Sequence, residues 1–321
     1  MHHWSKGWER FIGSLLLLGV MLIVQACGKN EGESVGEPGG VIAITATTGM
    51  IADAAKVVGG DRVKVETLMG PGVDPHLYKA SYGDMVKLDE ADVVFYGGLH
   101  LEGKMTEVLK KLGQVKTVAA VTDTMPKGRL YEGEPGSGIP DPHVWFDASL
   151  WTFTVEMVRD TLISEDAAHE SQYRQRADAY IRELQQLHHY AQEQLGSVPE
   201  KYRVLVTAHD AFGYFGRAYG LEVIGLQGMS TASEYGSKDV SALRDFLVQR
   251  EIPAVFVESS IPRKSIESVL EGAGKLGHEV IIGGELFSDA MGEEGTPEGT
   301  YVGMFRHNVD TIAKALKGEK Q

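Results

Sequence analysis

The sequence predicts an α/β fold: two βα lobes with mainly parallel sheets, joined by one long linker helix. Three observations carry this. Residues 41–165 alternate short β-branched runs with helical patterns, the mark of βα units on a mainly parallel sheet. The same alternation begins again after Tyr202. Between the two, residues from 166 to 195 carry almost no strand or turn signal, and Tyr173, Ala177, Tyr180, Ile181, Leu184, Leu187 and Ala191 recur at helical spacing. A helix of roughly 28 residues is about 40 Å long at 1.5 Å per residue. That is enough to run along both lobes, and its rigidity limits hinge motion between them.

The first 26 of the 321 residues read as a segment apart from the fold. Lys6 and Arg10 make a basic start, residues 11–24 form an apolar run too short for a comfortable membrane span, and Val24-Gln25-Ala26-Cys27 follows. This is a signal-peptide pattern, and small Ala26 before Cys27 resembles the lipobox of bacterial lipoproteins. Cys27 is the only cysteine, so it cannot form an internal disulfide; a diacylated Cys27 would anchor the chain at the outer membrane face. Residues 27–40 (the cysteine and then GKNEGESVGEPGG) are polar and Gly-rich, a flexible tether. The expected division is therefore 1–26 signal, 27–40 lipidated cysteine and tether, 41–165 first lobe, 166–197 connecting helix and 198–321 second lobe.

Within the first lobe, strands are expected at 41–47 (VIAITAT), 62–68, 93–96 and 115–119, and helices at 50–58, 81–89 and 103–112. A Gly/Pro loop at 122–140 contains no histidine. PDPHVWFD then leads into a helix at 148–162. In the second lobe strands are expected at 203–206 (RVLV), 222–226, 254–258 (AVFVE) and 279–282, helices at 211–219, 238–249, 263–276 and 301–317, and a loop over GGELFSDAMGEEGTPEG.

The formal net charge is −14, which argues against nucleic acid and against a basic membrane-binding face. No second apolar stretch is long enough to span a bilayer. There is no GxSxG, Walker or other phosphate-binding pattern.

The chemistry gathers around Pro140–Asp147 in numbered form 140–147. Pro142 fixes its own φ and pushes Asp141 toward an extended conformation, so the backbone presenting His143 is stiff. Trp145 and Phe146 can lock the segment to a core, and Asp141 and Asp147 are acceptors within reach of an imidazole N–H. A single Asp-Pro-His reads best as a turn histidine. A second, Asp74-Pro75-His76, lies 67 residues away and favours a shared role as metal ligands. His209 follows the strand RVLV, and Asp289 lies in the loop after EVII. In parallel sheets ligands bind beyond the strand C-termini, so His76, His143, His209 and Asp289, two per lobe, converge if the lobes face each other. Three imidazoles and a carboxylate suit Zn²⁺, Mn²⁺, Fe²⁺ or Co²⁺, and suit neither Cu(I) nor Ca²⁺. With no ligand pair close in sequence, the residues by themselves leave metal binding and structural turns both open. His188 and His189 read as surface residues, His169, His278 and His307 as solvated, and His100 as able to face the cleft without support from a partner. Asp210 reads as a helix N-cap, and Glu258 as either a support for a ligand or a loop carboxylate.

With these residues placed, the chain resembles the metal-binding lipoproteins of ABC importers for zinc and manganese, the TroA-like family. The resemblance covers essentially the whole chain after the signal and is carried by VDPHLYKAS, YGGLHLEGKM, DPHVWFD, VLVTAHDAFGYFGRAYGLEVIGLQGMSTASE, FVESSIP and GGELFSDAMG. It implies two βα lobes joined by one long helix, a metal in the cleft, and His76, His143, His209 and Asp289 as its ligands. His209 stands where several manganese-specific members have a glutamate. The histidine-free loop at 122–140 departs from strongly zinc-selective members and leaves Mn²⁺, Zn²⁺ and Fe²⁺ open. The implied function is capture of a divalent transition metal, outside the membrane or in the periplasm, by a lipid-anchored monomeric protein that is not an enzyme. It would hand the ion to an ABC permease with a cytoplasmic ATPase. Binding is expected to weaken as histidines protonate near ~6.5. Two other classes compete: a zinc-dependent hydrolase, with Glu258 as its base, and a surface adhesin with a structural metal.

Overall fold

The computed structural model describes residues 40–318, apart from 134, 135 and 137. The expected signal at 1–26, the lipidation site Cys27 and nearly all of the tether lie outside the described residues.

Strands β1 (Ile42–Ala46), β2 (Val63–Thr67), β3 (Val93–Tyr96) and β4 (Thr117–Ala120) form one parallel sheet in the order β2-β1-β3-β4. The chain steps from β1 to one side and then returns to the other. The crevice beyond β1 and β3 is thus a switch point, where such sheets bind ligands. Helices α1 (Gly49–Gly59), α2 (Tyr82–Glu90) and α3 (Thr106–Leu112) make the crossovers. Met50, Ile51, Ala54, Ala55 and Val58 form the buried stripe of α1. Ser81 and Asp84 close the start of α2 with a reciprocal capping box.

Helix α4 (Ala148–Glu165) turns through a short 3-10 segment into α5 (Glu170–Gly196). The 27 residues of α5 bury Tyr173, Ala177, Tyr180, Leu184, Leu187, Ala191 and Leu195, the helical stripe expected from the sequence. Ile181 packs against the same core and is only partly buried.

In the second half, β5 (Val204–His209) pairs with β6 (Glu222–Gln227), and β7 (Ala254–Glu258) with β8 (Ile281–Leu286), both parallel. Strand β7 lies against β5. Both β5 and β7 are buried along their whole length, as their apolar runs VLV and AVFV require. Helices α6 (Gly213–Tyr219), α7 (Ser237–Gln249), α8 (Lys264–Lys275) and α9 (Tyr301–Leu316) complete the set.

Several elements start or end a few residues from their expected places, and one takes in residues expected as loop. The strand expected at 279–282 is β8 at Ile281–Leu286, so GGEL belongs to the sheet rather than to a loop. The glycines hide this. A Cβ at Gly283 would sit 2.9 Å from the Phe256 ring and 2.8 Å from Ala315, so the residue that looks like a breaker is what lets α9 and β7 close on the strand.

A single apolar cluster runs from β1 and α1 through α5 to α9, and includes Ile44, Trp151, Leu184, Phe215, Phe256 and Phe305. The described residues belong to one packed unit. Among them no helix is long and apolar enough to cross a membrane.

Candidate metal centre

Both Asp-Pro-His triplets fold the same way locally. The Asp74 Oδ1 accepts the backbone N–H of His76 at 2.8 Å, and Asp141 Oδ1 accepts that of His143 at 2.8 Å. The intervening proline has no N–H to compete for the carboxylate. Beyond that the triplets part. Asp141 Oδ1 also lies 2.6 Å from Nδ1 of His143, which fixes the ring and turns Nε2 inward. The second oxygen of Asp74 instead accepts the Thr231 hydroxyl at 2.6 Å.

The segment after His143 is locked as its aromatic residues require. Phe146 stacks on Phe212 with ring centroids 4.2 Å apart. Trp145 donates its indole N–H to the Ser288 carbonyl at 3.0 Å, and the Tyr301 hydroxyl donates to the Trp145 carbonyl at 2.7 Å. Trp145 thus ties the His143 loop to the residue beside Asp289. Asp147 does not serve an imidazole in the centre: its carboxylate accepts from the Ser149 and Leu150 N–H groups and caps α4.

His209 is the last residue of β5. Its backbone N–H donates to Glu258 Oε1 at 2.9 Å, and its Nδ1 lies 2.6 Å from Glu258 Oε2. The neighbouring strand must approach closely here: a Cβ at Gly225 would lie 2.5 Å from Asp210 N and 2.7 Å from His209 C. Asp289 follows β8, where Asn308 of α9, fully buried, clamps the backbone N–H and carbonyl of Phe287 at 2.9 and 2.7 Å.

These elements bring His76, His143, His209 and Asp289 together, with one ligand-type atom from each lying within 4.8 Å of all the others. The Nε2 atoms of His76 and His143 are 3.2 Å apart. Asp289 oxygens lie 3.6 Å from His76 Nε2, 3.4 Å from His143 Nε2 and 3.3 Å from His209 Nε2. Four ligands at 2.0–2.1 Å from one ion form a tetrahedron with edges of about 3.3–3.4 Å, so these spacings fit one transition-metal ion. His209 Nε2 and both Asp289 oxygens are buried without a hydrogen-bond partner, and the His209 Nδ1–Glu258 Oε2 pair, 2.6 Å apart, is a close ion-pair contact rather than a well-angled hydrogen bond. Buried polar atoms left in this way are costly unless something meets them.

The electrostatics of the cluster are those of a site waiting for positive charge. Burial alone would lower the His143 pKa, but Asp141 and Asp289 outweigh it and lift it to about 9. His209 is likewise burdened by burial and is raised well above its usual value by Glu258 and Asp289. Burial would raise Asp289, yet His209 and His143 hold it well below the usual carboxylate range. His76 is pushed down by burial to about 3.

Other residues singled out in the sequence fall outside this cluster. His100 is exposed at φ 66°. His188 is half-buried rather than a free surface residue, with Nδ1 3.1 Å from the Tyr219 hydroxyl. His189 lies 3.3 Å from Gln192 on the exposed face. His169 contacts Asp166, and His278 and His307 contact the carbonyls of Ile252 and Glu285. Asp210 does not cap a helix: α6 starts at Gly213 with Phe212 at its N-cap. Burial and the nearby Asp141 raise Asp210 to about 6. Sequence reasoning passed over Thr231, Ser288 and Asn308, because each acts through a partner 21 to 157 residues away in the chain.

Comparison with known proteins adds an independent line. A family model described as the periplasmic zinc-uptake complex component A, ZnuA, matches residues 44–315. The manganese-binding lipoprotein MntA of Bacillus subtilis is 56% identical over 274 residues, covering 85% of this chain and 89% of that protein. The zinc-binding protein TroA of Treponema pallidum is 48% identical over 309 residues, covering 96% of this chain and 98% of that protein. The solved structure of the periplasmic zinc-binding TroA superposes with a TM-score of 0.84 at 50% identity, covering 86% of this chain and 99% of that one.

Proposed function

The chain belongs to the ZnuA family of periplasmic zinc-uptake components, and from that premise we propose that it is the solute-binding protein of a metal ABC importer. It captures one divalent transition metal outside the cytoplasmic membrane and delivers it to an ABC permease driven by a cytoplasmic ATPase. In this reading the ion is cargo, and His76, His143, His209 and Asp289 are its ligands. The observation that carries the assignment is the set of buried, unpartnered atoms, His209 Nε2 and the two Asp289 oxygens, facing the Nε2 atoms of His76 and His143. Relatives named for manganese and for zinc match the borderline character of a three-imidazole, one-carboxylate set.

The lobes at 41–165 and 198–321, with the helix between them, would hold two ligands each. Diacylated Cys27 would keep a monomeric protein at the membrane surface, with residues 28–40 as its tether. Mn²⁺, Zn²⁺ and Fe²⁺ all fit the donor set. Zn²⁺ wins at nearly any N/O site in free competition, so the working metal depends on availability.

A hydrolase is not favoured. Glu258, the base it would need, already lies 2.6 Å from His209 Nδ1 and accepts its backbone N–H, so it serves the ligand. The deciding experiment is competition dialysis of metal-stripped protein against Mn²⁺, Fe²⁺ and Zn²⁺ buffered near cellular levels, read by elemental analysis. One equivalent of metal, lost in His143→Ala, is the expected result. Metal absent from the wild type would overturn the proposal.

A further inference from the structure

The four candidate ligands are not held equally. His143 and His209 each have a carboxylate oxygen 2.6 Å from Nδ1, from Asp141 and Glu258. Among the described residues no carboxylate stands at Nδ1 of His76 as one does for the other two histidines: its contacts run through the backbone N–H to Asp74 and through Nε2 to the cluster. His76 is also the outermost of the four, 4% exposed against 0%, 0% and 1% for His143, His209 and Asp289. What fixes His76 is therefore its turn, and what fixes the turn is Asp74.

Asp74 divides its two oxygens. Oδ1 takes the His76 backbone N–H at 2.8 Å, and Oδ2 takes the hydroxyl of Thr231 at 2.6 Å, 157 residues away in the loop after β6. That loop is itself tied down. Gln227 donates its side-chain amide to the Thr231 carbonyl at 2.7 Å and to the Ser233 carbonyl. Gln227 also stands opposite His209 in the β5–β6 register. A continuous chain of contacts thus runs from the strand end that presents His209, through Gln227, Thr231 and Asp74, to His76. The Thr231 hydroxyl is the one bond in it that joins the two loops.

Resting on the metal-capture reading above, we propose that Thr231 is a positioning residue that holds the His76 loop closed through Asp74 and sets the rate at which the metal leaves. Loss of the hydroxyl frees Asp74 Oδ2 and with it the turn carrying the least anchored of the three histidines. The ion then departs by way of His76, while His143 and His209 keep the carboxylates at their Nδ1 atoms.

The test uses the Zn²⁺-loaded protein mixed rapidly with excess chromophoric chelator, which reports the dissociation rate. Thr231→Val removes the hydroxyl at constant shape. It is expected to bind one equivalent and release it roughly tenfold faster than wild type, the effect of losing one charge-assisted hydrogen bond. Thr231→Ser restores the hydroxyl and is expected to release at close to the wild-type rate. Melting of the metal-free protein is expected to fall by only a few degrees in Thr231→Val, about what one lost hydrogen bond costs, and to be restored in Thr231→Ser; a fall of more than about ten degrees would mark a general packing defect and overturn the latch. Should Thr231→Val fold poorly, Thr231→Ala gives the same comparison. Equal release rates for wild type and the hydroxyl-less variant, each holding one equivalent, would overturn the latch and leave metal capture standing. A wild type that binds no Zn²⁺ would overturn metal capture itself.

Discussion

Glu258 meets His209 twice, through Oε1 at the backbone N–H and through Oε2 at the ring Nδ1, at 2.9 and 2.6 Å. One carboxylate at the end of β7 thus fixes both the position of the β5 terminus and the orientation of its imidazole. Supports of this kind are worth about 10–100-fold in metal affinity when removed. Glu258→Gln keeps the shape and loses the charge, so its metal dissociation constant should rise by about tenfold. Glu258→Ala should approach a hundredfold loss. Competition with a chelator of known affinity measures both, and wild-type affinity in Glu258→Ala would show that the contact is only structural.

Two histidines on neighbouring elements separate ligand from bystander. His209 stands in the cluster, whereas His188 on α5 meets the Tyr219 hydroxyl and lies 3.9 Å from Asp147. His209→Ala should lose metal affinity by two orders of magnitude or more, on the order of 3 kcal/mol. His188→Ala should keep affinity within a factor of about two and lose only a modest part of its stability. Equal affinity in the two variants would sink the ligand set.

The pH window of binding follows from the shifted imidazoles. The sequence alone places the loss of binding near the ordinary histidine value of 6.5. In the folded, metal-free protein His143 is lifted to about 9, with His209 raised in the same direction, while His76 is pushed to about 3. Below about pH 9 an incoming ion must displace a proton from His143, His209 is raised in the same direction and adds to the release, and His76 gives none. Affinity should therefore still be rising with pH above 7. Calorimetry at pH 7.5 in buffers of different ionisation enthalpy should find at least one proton released per ion. Stability of the metal-free form follows the same sign. A base raised in the folded state stabilises fully below its unfolded value of 6.5, and that contribution fades as pH passes through the folded value of about 9. The melting temperature of the metal-free protein should fall over that interval, and a flat profile together with zero proton release would contradict the charge pattern.

Much of this architecture was legible in the chain because single local signals carried it. The stripe from Tyr173 to Ala191 fixed α5 to within a few residues, and the apolar runs VLV and AVFV stood out because both faces of β5 and β7 are covered. His76 and His143 stood out by their paired Asp-Pro-His triplets, and His209 and Asp289 by chain position after strands. What remained hidden depends on contacts between distant segments. Asp141 and Asp147 flank the same histidine within one octapeptide, and only the course of the backbone decides that the first holds the ring while the second caps α4. GGEL read as loop because glycine is a breaker in isolation, and only the Phe256 ring and Ala315 above Gly283 show why glycine is required in β8. Thr231 carried no signal at all, since its partner Asp74 lies 157 residues away.

The linker helix sets how far the protein can close. Helix α5 spans 27 residues, about 40 Å, and its buried stripe belongs to the same apolar cluster as Ile44 and Met50 near the start of the chain and Phe305 and Ile312 near its end. Opening a wide hinge would tear this cluster. Each fully buried aromatic or aliphatic side chain exposed would cost roughly 1.5–3 kcal/mol, and a single metal ion gains too little to reverse many of them. Tyr180 adds a bond from α5 to Asp53 of α1 at 2.6 Å, and Tyr190 adds another to Asp310 of α9, so the helix is tied to elements from both ends of the chain. Binding should therefore act through loop movements near His76 and at most a few degrees of lobe tilt. Small-angle scattering of metal-free and metal-loaded protein should give radii of gyration within about 0.5 Å of each other, since α5 and its core are common to both states. A compaction of several ångströms on loading would mean that α5 bends or the core parts, and would overturn the rigid-linker account.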